Sequence, residues 1–341
     1  MEQSVEFIRS LLSSAPQQNL IVESENENFS LELESDLDKL EFELIENKKS
    51  DYKAGAVDGG QGTIVRNAVY TAGVYRAGYV IFDGLKRSQE YSTELNLANL
   101  DYSNYLNIYR ELYRTIFNID PQDSLTFSNT LSSLRKMVEY QSTVKAITEL
   151  KAGDMLLLDG SLQDEEQISR QIYETAKSAQ INVVGVTKSS SLLWQGGANL
   201  VGMLNKLGDE KHRHKCWYVR VGKFPRNSDR KHLCDIYAAK LNGYCDRAFR
   251  VDLSTNNYES PAEVFSKLTE LSLDPYFLGY PYPLASVHQM VRVTAEELDH
   301  FARRLKDITL TSGVQESEWA ILFGDYHNIL NHGLKDRMVR A

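Results

Sequence analysis

Apolar residues in this chain fall either into short runs closed by acidic, glycine or proline residues, or into longer stretches with helical spacing. The sharpest run is MLLLDGSL at residues 155–162, in which apolar residues lead to Asp159 and Gly160. A short apolar run ended by Asp-Gly predicts a buried strand stopping at a turn. AGAVDGG at 54–60 has the same form and carries Asp58. With 67–75 (NAVYTAGVY) and 78–83 (GYVIFD) it predicts an antiparallel meander of three strands joined by Gly-containing turns. Residues 101–118 show a helical stripe through Tyr102, Tyr105, Leu106, Tyr109, Leu112, Tyr113 and Ile116. A second helical region, 124–150, places Leu131, Leu134, Met137, Val138, Val144 and Ile147 on its apolar side, with Glu139 close to it.

Beyond 155–162 the pattern predicts a helix over 165–179 and a strand over 181–187 ending at Lys188, a parallel crossover unit. Further strands are expected at 216–223 and 248–253. Further helices are expected at 261–271, after the Pro-rich turn of LGYPYPLASVHQM (278–290, carrying His288), at 298–305 and at 319–330. Residues 3–13 read as a short helix. The stretch 23–46 is strongly acidic with mixed periodicity, a docking arm or a solvated face. Three antiparallel strands, helices and then parallel α/β units give the order of an RNase H-like mixed sheet flanked by helices. The expected organisation is an N-terminal extension (1–50), the sheet domain (51–295) and C-terminal helices packing on it (296–341).

Ligands of α/β sheets bind at the carboxyl ends of strands. In an RNase H-like sheet the first and fourth strands are neighbours, so Asp58 and Asp159 can share metal ions. Hard divalent cations take oxygen ligands, and two metals ~4 Å apart would activate water and stabilise the leaving oxygen of a phosphodiester. Lys188 either neutralises charge on the scissile phosphate or extends into solvent at its strand end. His288 is a metal ligand, a proton donor to the leaving group, or a structural histidine. Asp-Gly is also a common turn pair.

Composition narrows the partners. The chain has 341 residues, is 42% hydrophobic and 25% charged, and carries a net charge of −9. That charge argues against nonspecific coating of nucleic acid, yet leaves room for a nuclease whose metals and local basic patches supply the positive field. Candidate basic positions are Arg66, Arg76 and the cluster from Lys211 to Lys215. No apolar run approaches the ~20 residues of a membrane helix, and the N-terminus lacks the form of a secretory signal. The three cysteines have no CxxC spacing, which suits a reducing cytoplasm.

VDGG at Val57, LDGSL at Leu158, GVTKSS at Gly185 and GYPYPLASVHQM at Gly279 resemble, in that order, the NurA nuclease family across about residues 50 to 295. The resemblance implies an RNase H-like, Mn²⁺-dependent DNA nuclease, with Mg²⁺ as a possible substitute. It also implies a HerA-type hexameric ATPase partner in DNA end resection, and a homodimer. Carried over by position, Asp58 and Asp159 match family acids, His288 matches the histidine near the end, and Lys188 a lysine of the strand motif. The helix acid is Glu139 or, alternatively, Glu149. The sequence departs from the family at Gly60, where a serine is usual. Two other readings stand beside this one. DGGQGT at Asp58 resembles the phosphate-binding turn of actin-like ATPases and sugar kinases, and the Gly60 departure admits a NurA-like scaffold that does not cut.

Overall fold

The computed structural model describes residues 5–6, 20–23, 26–32, 37–48, 50–121, 125–162, 167–194, 198–222 and 234–324. Most of the helix expected over 3–13, parts of the acidic arm and the end of the helix expected to reach residue 330 lie outside them. The first half of the chain forms β1 (Leu20–Glu23), β2 (Asn26–Glu32), β3 (Glu43–Leu44), β4 (Lys53–Arg66), β5 (Tyr70–Asp83), β6 (Lys86–Ser92) and β7 (Asn96–Asp101). Helices α1 (Tyr105–Phe117) and α2 (Thr130–Thr148) follow. The crossover unit is β8 (Met155–Asp159), α3 (Gln167–Ser178) and β9 (Asn182–Thr187). Then come β10 (Leu192–Trp194), β11 (Ala198–Asn199), α4 (Leu200–Lys211), β12 (Trp217–Arg220), β13 (Cys234–Lys240) and β14 (Phe249–Ser254). Helices α5 (Pro261–Leu271), α6 (Tyr282–Val291), α7 (Ala295–Thr311) and α8 (Glu316–Phe323) close the described chain.

The main sheet runs β3-β12-β13-β14-β9-β8-β4-β5-β6, with β7 on β5, and a small second sheet runs β11-β10-β1-β2. Strands β4, β8 and β9 are parallel, with Val57 opposite Leu158 and Asp159 opposite Val186. β14 pairs antiparallel on the far side of β9. The segment β6-β5-β4-β8-β9 is thus the expected RNase H-like order, a mixed sheet flanked by helices.

The meander differs from its expected boundaries. β4 runs on through 58–66, and the two strands expected at 67–75 and 78–83 are one strand, β5. The third member is β6, reached through Gly84 at φ +56°. Glycines 73 and 78, both within the expected strands, serve close packing. A Cβ on Gly73 would lie 2.5 Å from Leu131 Cδ2, and one on Gly78 2.3 Å from Tyr91 O. Because residues 58–63 lie inside β4, DGGQGT forms no phosphate-binding turn, and the actin-like reading loses its basis.

By compactness the chain forms two units. The first comprises Met1–Asp58, Gly78–Ser92 and Glu139–Met290; the second comprises Gly59–Ala77, Thr93–Val138 and Val291–Ala341. The core of the first is the apolar face of parallel strands: Ala56, Leu156, Leu157, Val184 and Val186 are wholly buried. Strands buried on both faces read as continuous apolar runs, which is why MLLLD and NVVGVT stand out in sequence. Phe265 of α5 stacks on Tyr218 with ring centroids 4.3 Å apart and closes the other flank. In the second unit α1 buries Tyr109 and Tyr113 and ends at Asn118 in the left-handed conformation (φ 56°). Val144, expected on the apolar side of α2, is 42% exposed, because the last turns of that helix bury Ala146 and Ile147 instead.

Candidate metal centre

The parallel register that sets Val57 opposite Leu158 carries Asp58 and Asp159 one step further, to adjacent positions on β4 and β8. Asp159 ends its strand, and Gly160 turns the chain with φ +106°. Asp58 lies within β4 and is only 6% exposed. A carboxylate this buried needs a partner, and His288 supplies it: Nδ1 lies 2.7 Å from Asp58 Oδ2. His288 reaches in from α6, which starts just after Pro281 and fixes the ring's height against the strands.

Asp159 is held on both oxygens. Lys188 Nζ donates to Oδ2 at 2.8 Å, and Tyr280 Oη donates to Oδ1 at 3.2 Å. Burial, then the charge and hydrogen bond of Asp159, then the charge of Asp58, raise the Tyr280 pKa above the ordinary tyrosine value, so the hydroxyl stays protonated. Lys188 also lies 5.8 Å above the Tyr280 ring. One ligand atom each from Asp58, Asp159 and His288 lies within 4.8 Å of the others, and the set spans three separate elements. Ligands bound at about 2.0–2.2 Å around one ion stand ~3–4.3 Å apart, so small side-chain shifts would close this set on a single divalent cation. Two carboxylates and an imidazole form an oxygen and nitrogen donor set for a divalent metal ion.

The structure thus brings together four of the expected site residues, Asp58, Asp159, Lys188 and His288. Glu139 lies half-buried on α2, where its backbone carbonyl accepts from Thr143 Oγ1 at 2.8 Å; its carboxylate is outside the convergent set. Glu149 is exposed beyond the end of α2, where its charge adds to burial in raising the Tyr79 pKa. Tyr280 was overlooked in the sequence although it stands in the same GYPYPLASVHQM segment as His288. It sits in the turn just before Pro281 and α6, and no periodicity links it to the histidine.

A second overlooked element holds the Asp159 loop in place. Arg250 and Asp252 on β14 have side chains 1% and 0% exposed. Arg250 Nε and Nη2 donate to Asp252 Oδ1 and Oδ2 at 2.8 and 3.0 Å. The same Oδ2 accepts from Ser161 Oγ and from the Leu162 N–H, both at 3.1 Å, and Arg250 Nη2 donates to Ser161 Oγ at 2.9 Å. The LDGSL turn is therefore tied to the sheet by a buried ion pair. The sequence clue was an Arg and an Asp two apart, on one face of an otherwise apolar strand. Gly185 lets the turn approach: a Cβ there would lie 2.6 Å from Gly160 O.

The departure at Gly60 has a steric cause. A Cβ at that position would lie 2.0 Å from Val291 O. Arg76, a candidate DNA contact, is engaged in the same unit: Nε donates to Val291 O at 2.9 Å, Nη2 donates to Arg292 O, and Nη1 pairs with Glu297 at 3.1 Å. Arg66 is exposed. The basic cluster also splits. Lys211 Nζ donates to Leu40 O at 3.2 Å and lies 5.1 Å from the Phe42 ring, whereas Arg213 and His214 are exposed.

The fold is thus an RNase H-like mixed sheet that carries two carboxylates on adjacent strands. The sequence profile of the NurA domain matches residues 52–293, and the chain belongs to the NurA family. The NurA nuclease from Sulfolobus solfataricus superposes with a TM-score of 0.55 at 15% identity, over 92% of this chain and 95% of that one. The catalytic domain of human endonuclease V matches with a TM-score of 0.37 at 13% identity (89% and 98% coverage). The Argonaute of A. aeolicus matches at 0.33 and 11% (73% and 29%). No curated protein sequence matches the chain. Among the described residues no helix is long and apolar enough to cross a membrane.

Proposed function

We propose that this protein is a metal-dependent deoxyribonuclease, and that Asp58, Asp159 and His288 hold its cation. The carrying observation is that these three side chains, from β4, β8 and α6, converge within 4.8 Å. Mn²⁺, or Mg²⁺ in its place, supplies a polarised phosphoryl oxygen and a more acidic bound water when present. The protein's residues do the rest. Tyr280 and Lys188 fix the two oxygens of Asp159, so that the carboxylate enters the reaction in one orientation. The ammonium of Lys188 faces charge developing on the phosphate as water adds to phosphorus and the bond to the leaving oxygen breaks. His288 is assigned as a ligand, its ring half-exposed at the mouth.

Family likeness supports three further parts of the proposal: action at DNA ends in resection, a HerA-type hexameric ATPase partner, and a homodimer. Glu139, with Glu149 as the alternative, is the proposed acid for a second metal. The scaffold reading rested on Gly60 and on the acidic charge; a packing role for Gly60 removes the first support and leaves the second to the cleavage assay. The test is cleavage of end-labelled single- and double-stranded DNA with Mn²⁺, Mg²⁺ or EDTA, with and without a HerA-type ATPase. Metal-dependent cutting lost in Asp58→Ala and in Asp159→Ala is expected. Near-normal cutting by either variant overturns the site, and absence of cutting with the ATPase present overturns the nuclease.

A further inference from the structure

We propose that a trench between α4 and residues 243–248 carries a single DNA strand to or from the metal centre, with Tyr244 on His214 as the platform for its bases. This rests on the nuclease reading and names the path of its substrate. The trench consists of two adjoining cavities. The first, about 320 Å³, begins at Lys188, whose ammonium is already on Asp159, and is lined further by Ser189, Ser190, Asn205 and Arg247. The second, about 460 Å³, continues along the same helix and loop past Lys206, Arg213, His214 and Tyr244. A hydrogen bond from Asn205 Nδ2 to Asp246 O, 3.0 Å, forms the saddle between them.

Three properties match a polyanion with bases attached. First, the walls are basic in a chain whose net charge is −9. Lys206 and Arg213 face Glu210, while Arg247 is paired with Asp246, Lys188 with Asp159 and the buried Lys240 with Asp209. Second, Tyr244 is 81% exposed and its ring stacks on His214, centroids 5.6 Å apart and planes at 28°. An aromatic pair in a basic groove is the recurring device for holding unpaired bases, whose faces a duplex hides. Third, the first cavity is lined by neutral hydrogen-bonding side chains, Ser189, Ser190, Asn199 and Asn205, that suit a polar ligand. α4 is 12 residues long. At 1.5 Å per residue it spans ~18 Å, room for about five stacked nucleotides at 3.4 Å each.

The test measures binding of fluorescein-labelled oligo-dT, five to fifteen nucleotides long, by anisotropy in EDTA. It compares wild type with Tyr244→Ala and Arg213→Glu, and Mn²⁺ affinity is measured in parallel. Both side chains are exposed, so the fold is expected to survive either change. Tyr244→Ala should weaken single-strand binding about 5- to 100-fold. Arg213→Glu should weaken it and lower the salt slope by about one. Mn²⁺ affinity should not change in either. Wild-type single-strand affinity for both variants, with wild-type protein still cutting, overturns the trench and leaves the nuclease reading intact. Insensitivity to Tyr244→Ala alone overturns the stacking platform. Failure of wild type both to bind and to cut overturns both proposals.

Discussion

Replacing Arg250 with alanine should damage the protein without removing a metal ligand. The two side chains of the Arg250–Asp252 pair are 1% and 0% exposed, so the change strands a carboxylate in the core with only the neutral donors Ser161 Oγ and the Leu162 N–H on it. Breaking a buried pair from one side costs ~3–5 kcal/mol, a large share of a typical total of ~5–15 kcal/mol. In urea, at a slope near 3 kcal/mol per molar, the unfolding midpoint should fall by about 1–2 M. Changing both partners, Arg250→Met with Asp252→Leu, removes the stranded charge and should restore most of that stability. The double variant still lacks the tie to Ser161 and Leu162, so Asp159 loses its support and DNA cleavage should stay impaired. The assays are urea unfolding followed by tryptophan fluorescence, and Mn²⁺-dependent cleavage. A midpoint shift in Arg250→Ala below ~0.3 M, or full cleavage by the double variant, would refute the reasoning.

Gly60→Ser, which introduces the residue usual in the family, should destabilise by about 1–3 kcal/mol or more through overpacking against Val291 O, read as a lowered melting temperature; an unchanged melting temperature counts against it. Tyr280→Phe removes the donor to Asp159 Oδ1 and should slow cleavage while leaving the fold and Mn²⁺ binding largely in place; an unaltered rate would show that Lys188 alone orients the carboxylate. Glu297 is held below the ordinary glutamate pKa, first by the Thr294 backbone N–H and then by Arg76. A depressed carboxylate contributes stability above its unfolded pKa, near 4.5, and loses it as pH falls through the folded value. Glu297→Gln should therefore flatten the acid limb of stability below about pH 4.5, seen as a smaller drop in urea midpoint on acidification.

What the sequence made legible follows from where physics acts locally. Asp58 and Asp159 end apolar stretches that must be buried, so their adjacency across neighbouring strands can be read from the pattern, whereas the continuation of β4 past Asp58 cannot. Pro261 and Glu263 mark the start of α5, and the helix runs over the expected residues. Features set by contacts between distant segments were hidden. Glycines 60 and 78 admit close backbone approach and Gly73 admits the Leu131 side chain, none of which local sequence reveals. β13 was missed because CDIYAAK alternates poorly, and α4 because Gly202 and Gly208 interrupt the helical stripe of Leu200, Val201, Leu204 and Leu207. A Cβ on Gly208 would lie 2.3 Å from Trp217 Cζ2, a packing reason no local propensity contains. The Arg250–Asp252 anchor and the Tyr280 contact depend on partners roughly 90 and 120 positions away, distances at which residue patterns carry no signal.

The most direct test of the central claim is Mn²⁺ titration by calorimetry of wild type, Asp58→Asn, Asp159→Asn and His288→Ala, each checked for an unchanged circular dichroism spectrum. Saturable binding by wild type, weakened at least tenfold in every variant, is the predicted result. A folded variant that binds Mn²⁺ as tightly as wild type would remove its residue from the metal centre, and undiminished binding in all three would contradict the account.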